Sequence, residues 1–393
     1  MRVLVAGGGI FGTTAALAFR ERGHDVTLVE PGPLPHPLAE STDISKVVRA
    51  DYGPDRDYAE LGARALEGWR RWNASWSAPL YHETGVTFLS RAPMAAGTFE
   101  YESYRVLTSL GFPLERLDAE DIARRFPAYR PGEYVDGYFN PRGGWAASGA
   151  VVAQLAKQAE AAGVTLRTGL VDRVVDPDRI VRRAAGAMVD GEHVPADLVV
   201  VCAGSWVPLL VPELAPCLRA IGQPVFHLRP HDPSLFAAER FPVFGADISR
   251  TGYYGFPLND GVVKIANHGT GVPLPAGAAA SERVVTAEHE TQLRDMLARS
   301  FPALADAPIV YRRLCVYCDT IDEHFWIARS PDRPHVAVAT GGSGHAFKFA
   351  PVLGELIATL SLGEPHPLAH KFRWRPELRD VRGGEAARHH PDH

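Results

Sequence analysis

Only four of the 393 residues are cysteine. That is too few for a disulfide-built scaffold, so thiols or attachment points are expected. No stretch approaches the ~18 uncharged apolar residues of a membrane-crossing helix. The opening MRVLVAGGG lacks the charged-then-apolar order of a secretory leader. A soluble cytoplasmic protein is the expectation. Charge of one sign is also lacking: 41 Lys and Arg stand against 46 Asp and Glu, a formal net of −5. Such a balance gives no positive field for nucleic acid or an anionic membrane, and neither partner is expected. Internal repeats and low-complexity linkers are missing too. The chain is instead 46% apolar, long enough for two domains with full cores.

The first thirty residues carry the clearest signal. Residues 2–5 form an apolar β-branched run, followed by Gly7, Gly9 and Gly12 in the spacing G-x-G-x-x-G and then by the helix former TTAALAFRERG. Strand, tight turn and helix are the context this motif needs. Gly7 permits the turn, Gly9 lets backbone approach a pyrophosphate, and Gly12 lets the helix pack on the strand. The helix start, from Ile10 and Phe11, offers free N–H groups and partial positive charge to phosphates. A second strand over residues 25–29 ends at Glu30, 18 residues after Gly12. An acid there accepts hydrogen bonds from a ribose and repels a 2′-phosphate, so FAD or NAD is expected.

Helical patterning recurs over residues 57–72 and 146–162, and strand-like patterning over 85–90 and 164–174. Residues 198–201 read as a buried parallel strand, which Gly204 closes. Residues 211–310 shift to prolines, aromatics and short alternating runs, a sign of antiparallel strands. Strand and helix return in HVAVATGG and residues 351–361. The expected fold is α/β (α+β overall). Residues 1–80, 146–210 and 311–393 are expected to form a Rossmann-type FAD-binding domain. Residues 81–145 and 211–310 would form an inserted antiparallel-sheet substrate domain. The closing HHPDH reads as a frayed end, and no metal site is expected.

Cys315 and Cys318 lie three apart in RRLCVYCDTIDEHF, a strand running into an acidic turn. A redox pair, half a zinc site, ordinary core or a covalent handle all suit such spacing. On a strand the two side chains take opposite faces, which strains a disulfide and makes shared chelation awkward. No second C-x-x-C completes a zinc site.

The chain resembles, end to end, the FAD-dependent amine oxidases of the D-amino-acid-oxidase superfamily. It is most similar to the monomeric sarcosine oxidase group, with its fructosyl amino acid oxidase and pipecolate or saccharopine oxidase relatives. The resemblance rests on GGGIFG, STDISKVVRADYG, CAGSW, YYGFP, VVKIANH, CVYCDTIDEHF and GGSGHAFKFAP, the last two being highly specific to that group. It implies a monomer that oxidises a secondary amine, an N-substituted α-amino acid, to an imine while O2 becomes H2O2. An amino acid or cyclic-imine dehydrogenase using another acceptor is the alternative.

The resemblance also implies roles. Cys315 would be joined to the flavin 8α-methyl through sulfur. Arg49 and Lys348 would grip the substrate carboxylate, while His268 and Tyr254 would contact substrate. Lys264 would promote the reaction of reduced flavin with oxygen. Ser41, Thr42, Ala203, Gly204, Trp206 and the backbone of Val171 would contact the dinucleotide. Gly342, Gly344, His345 and Phe347, with Lys348, would hold the flavin pyrimidine end. Apolar neighbours of Arg49 and Lys348 agree with partial burial, which for a cation calls for an anionic partner. One departure is Ser41-Thr42-Asp43-Ile44-Ser45-Lys46, where sarcosine oxidases carry His-x-Gly-x-Ser/Thr-Arg. Lys46 would cover the flavin face with Asp43 as a partner for it or for a bulkier substrate, so a bulkier N-substituted amino acid is expected at least as much as sarcosine itself.

Overall fold

Arg2–Ala6 is the hub of a six-stranded sheet ordered Trp326–Arg329, Val336–Thr340, Leu198–Val201, Arg2–Ala6, Asp25–Glu30 and Thr165–Thr168. All neighbours are parallel except the edge pair Trp326–Arg329 with Val336–Thr340. Strands such as LVVV are buried throughout because cores cover both faces of the sheet. The computed structural model describes residues 1–178, 180, 183–378 and 385–389.

Helix Ile10–Glu21 packs on one face against Ala350–Leu362 and Ser148–Ala161. The approach is close because glycine makes it so: a Cβ on Gly354 would lie 2.2 Å from the Thr14 carbonyl oxygen, and one on Gly12 only 1.7 Å from that of Gly7. Backbone cannot yield that much. Gly12→Ala is therefore expected to cost several kcal/mol of stability, on the order of a severe core defect, read as a lowered denaturation midpoint. A variant that melts with the parent would refute this.

The second layer is a nine-stranded sheet. Its main path runs Val272–Leu274, Leu218–Leu228, Val263–Asn267, Tyr253–Gly255, Val243–Ala246, Val86–Ser90, Asp136–Asn140 and Glu115–Asp118. It is antiparallel except where Val86–Ser90 meets Val243–Ala246. The ninth strand, Ile309–Thr320, pairs along the whole of Leu218–Leu228, with Cys315 opposite Gln223 and Cys318 opposite Ala220. Residues 311–320, which the sequence places with the nucleotide layer, thus belong to this sheet. Their partner is the long strand Leu218–Leu228, a pairing between distant segments that local pattern does not announce. A small sheet of Lys46–Val48, Gly144–Ala146 and Tyr81–His82 carries the chain into the site. Among the described residues no helix is long and apolar enough to cross a membrane.

Candidate active site

At the carboxyl ends of the parallel strands lies a groove of about 550 Å³, the size class of a cofactor site. Gly7, Gly9, Ile10 and Phe11 form its floor, and Glu30, Val171, Ala203, Gly204, Trp206 and Gly342 line its walls. Gly7 adopts φ +107°, and a Cβ there would meet the Cys202 carbonyl oxygen at 2.6 Å. Only glycine suits that turn. Glu30 Oε2 accepts the Gly8 N–H at 2.6 Å, and burial raises its carboxyl against that bond. Ser41 Oγ accepts the Ile10 N–H at 2.9 Å at the start of the helix. Thr42, by contrast, lies outside the groove wall, with its buried hydroxyl lacking a partner among the described residues. Glu40, not singled out in the sequence, does line the groove, and burial pushes its carboxyl up to about 7.

A second, smaller chamber of about 50 Å³ has Gly344 in its wall. Lys46, Arg49, Tyr254, His268, Gly344, His345, Phe347 and Lys348 all line it, so side chains scattered from 46 to 348 converge on one space. Gly344 takes φ +77° against the Tyr317 ring, which any Cβ would strike at 2.2 Å. His345 is locked: Nδ1 lies 3.0 Å from the Tyr52 hydroxyl and Nε2 2.9 Å from the Glu323 carbonyl oxygen. Burial drives it down to about 3, so the ring is neutral. Lys348 Nζ donates to Tyr52 at 3.0 Å and to the His345 carbonyl at 2.7 Å. Among the described residues it makes no ion pair, and burial beside Arg49 pulls it well below the ordinary lysine range.

Lys264 is buried and lies outside the chamber wall. On Val263–Asn267 it faces His227 across the ladder, and both reach Asp43: Lys264 Nζ sits 2.7 Å from Oδ2 and His227 Nε2 3.3 Å from Oδ1. Lys264 also donates to the Ser45 carbonyl. Asp43 is thus the partner of Lys264, not of Lys46. Burial pushes Lys264 down to about 8, while burial opposes the Asp43 charge but the Lys264 ammonium and His227 hold it well below the usual carboxylate range.

Lys46 Nζ lies instead 3.8 Å from Cys315 Sγ. Cys315 is buried among Val225, Ala266, Tyr254 and Tyr317 and lines neither cavity. Cys318 takes the other face of the strand, on the groove wall, 3.3 Å from Thr340 Oγ1.

Arg49 is buried, its guanidinium 4.8 Å from the Tyr52 ring centre and 5.7 Å from those of Phe88 and Phe99. It already holds an anion. Glu385 pairs with it, and the other Glu385 oxygen lies 2.7 Å from His268 Nε2. Residues 385–389 are docked, not frayed; of the closing HHPDH only His389 falls within the described residues. No periodicity or motif marks Glu385 in the sequence.

The family described as FAD dependent oxidoreductase (DAO) matches residues 2–360. The chain belongs to this family. Similar proteins include a monomeric sarcosine oxidase of Bacillus sp. (strain B-0618), 27% identical over 370 residues, which cover 92% of each chain. N-methyl-L-tryptophan oxidase of Yersinia pestis (strain Pestoides F) is 27% identical over 93% of this chain and 96% of that protein. In fold, the chain is similar to the fructosyl amine:oxygen oxidoreductase (Amadoriase I) of Aspergillus fumigatus, with a TM-score of 0.80 at 24% identity over 100% of this chain and 94% of that one. The FAD of the family fits what is present. Gly7 and Gly9 line the groove without side chains, and Glu30 lines it at the end of the second parallel strand, a set that suits a pyrophosphate and its ribose.

Proposed function

We propose that this DAO-family protein oxidises a secondary amine, an N-substituted α-amino acid, to the imine, with O2 reduced to H2O2, and that it acts as a monomer. The relatives named for sarcosine and N-methyl-L-tryptophan support the substrate class. The observation that carries the reading is the convergence of Arg49, Lys348, His268 and Tyr254 on one small chamber. FAD, when bound, supplies the hydride acceptor.

The chain's own groups do the rest. Arg49 offers a fork to a carboxylate, and a carboxylate bound beside Lys348 favours the charged form that burial otherwise opposes. The cations Lys46 and Arg49 in the chamber wall disfavour an ammonium beside them, so the bound amine loses its proton and frees the lone pair that hydride departure requires. The Gly344 backbone, with His345 locked beside it, would hold the pyrimidine end of the flavin. Lys264 supplies the positive charge under which oxygen takes its first electron. Bleaching of the visible flavin band by an N-methyl amino acid without air, and peroxide release with air, would test the function. A protein that stays yellow across sarcosine, N-methyl amino acids, pipecolate, proline, saccharopine and fructosyl amino acids would refute it.

The 2.7 Å ion pair of Lys264 with Asp43 favours a second reading, in which that charge is half-neutralised and another acceptor takes the electrons.

Cys315 is the proposed attachment point of the flavin. Lys46 Nζ lies 3.8 Å from its sulfur. A thioether there would replace one hydrogen of the thiol and one of the 8α-methyl, with O2 as the two-electron oxidant that takes them. Cys315→Ser is expected to leave the yellow colour in the supernatant after acid precipitation, where the parent gives a yellow pellet. A colourless parent pellet would overturn the attachment.

A further inference from the structure

The docked end of the chain places a carboxylate where the proposed substrate would bring its own. Three anchors hold residues 385–389. Arg388 Nη2 lies 2.7 Å from Asp319 and Nη1 3.1 Å from Glu323, while Nε donates to the Gly269 carbonyl at 3.1 Å. The His389 N–H donates to the His268 carbonyl at 3.0 Å, and its ring Nδ1 lies 3.1 Å from that of Ser249. Ala387 is fully buried between these points. The Glu385 N–H donates to a Glu323 oxygen, which aims its side chain inward between Arg49 and His268.

That side chain is 3% exposed and lines the chamber. Arg49 Nη1 is left buried without a partner among the described residues, so the guanidinium has donor capacity that Glu385 does not use. With Glu385 in place the chamber keeps about 50 Å³, room for about three to five waters. An N-substituted amino acid is larger than that.

We propose that Glu385 is a specificity-determining residue, an internal carboxylate that holds the place of a substrate carboxylate on Arg49 and His268. This rests on the function proposed above and names what its chamber selects. A carboxylated amine binds only by displacing a tethered competitor of high effective concentration. The fraction of molecules with Arg49 free multiplies its affinity accordingly. An amine without a carboxylate need not contest that contact. The chamber is thereby biased against small α-amino acids and toward amines whose remaining contacts compensate.

The test compares an N-methyl aromatic amino acid with the same amine lacking its carboxylate. The expected result is a ratio of KM for acid over amine that falls at least tenfold in both Glu385→Gln and Glu385→Ala holoenzymes relative to the parent. Acetate, followed through the visible flavin spectrum, is expected to bind at least tenfold more tightly to the same variants. A ratio and an acetate Kd that stay level or rise would overturn the proposal and leave Glu385 as a buried structural group. Glu385→Gln preserves shape should the alanine variant fold poorly. If neither amine bleaches the flavin, the failure belongs to the proposed function, and the acetate titration still decides the role of Glu385.

Discussion

Lys264→Met is expected to slow reoxidation of the reduced enzyme by O2 about 10²–10³-fold, the usual effect of removing one preorganised charge from a developing anion. Anaerobic reduction by substrate should change far less, because Lys264 lies outside the chamber wall. Stopped-flow mixing of reduced enzyme with oxygenated buffer reads the first effect and anaerobic mixing with amine the second. The size of the effect depends on Asp43, which sits 2.7 Å from the ammonium and would remain as a buried carboxylate with His227, the Ile44 N–H and the charges of Lys46 and Arg313. Asp43→Asn separates the contributions. If the pair screens the field, this variant reoxidises faster than the parent, while Lys264→Met falls below it. If Lys264→Met reoxidises at the parental rate, the second acceptor reading stands.

The same cation predicts a pH dependence. Burial holds Lys264 at about 8, against the upward pull of Asp43. The groups around it are Asp43, the Ser45 carbonyl, the Phe256 ring at 4.8 Å and the neighbouring Lys46. Below that pH the ammonium is charged; above it the charge is lost. The reoxidation rate of the parent should therefore fall as pH rises through about 8, and the fall should be absent in Lys264→Met. A rate that climbs over that interval in the parent would contradict the assigned role.

What the sequence disclosed and what it hid follow one division. Positions where backbone geometry admits a single residue type were legible: Gly7 and Gly12 stand in their motif because any Cβ would strike a carbonyl. The runs at residues 2–5 and 198–201 were legible because strands buried on both faces carry no polar alternation. Partners joined across distant segments were not. Nothing local in Asp43 or Lys264 says that they meet, and the strand Ile309–Thr320 chooses its sheet through pairing with Leu218–Leu228. Glu385 is the extreme case. It lies after a Gly- and Ala-rich stretch with no period, and its position comes wholly from Arg388, His389 and Glu323 holding the backbone beside it.

Arg49→Ala should produce the largest combined loss in the molecule. Removing one member of a buried ion pair strands the other, a cost of about 3–5 kcal/mol, and here the stranded group is Glu385 beside His268. The guanidinium also fills space against Tyr52, Phe88 and Phe99, so packing is lost with the charge. The denaturation midpoint of the holoenzyme should drop accordingly, and KM for a carboxylated amine should rise about 10²-fold as the fork vanishes. The double variant Arg49→Ala/Glu385→Ala discriminates between causes. If the stranded carboxylate dominates, the second substitution recovers much of the stability although it removes more of the site, a non-additivity that contacting residues show and independent ones do not. KM should stay high in that double variant, since the cation that a substrate would use is gone in both. Stability losses that simply add would mean that Glu385 finds enough stabilisation in His268 and the Glu323-bound backbone alone, and the pair with Arg49 would then contribute little to holding residues 385–389 in place.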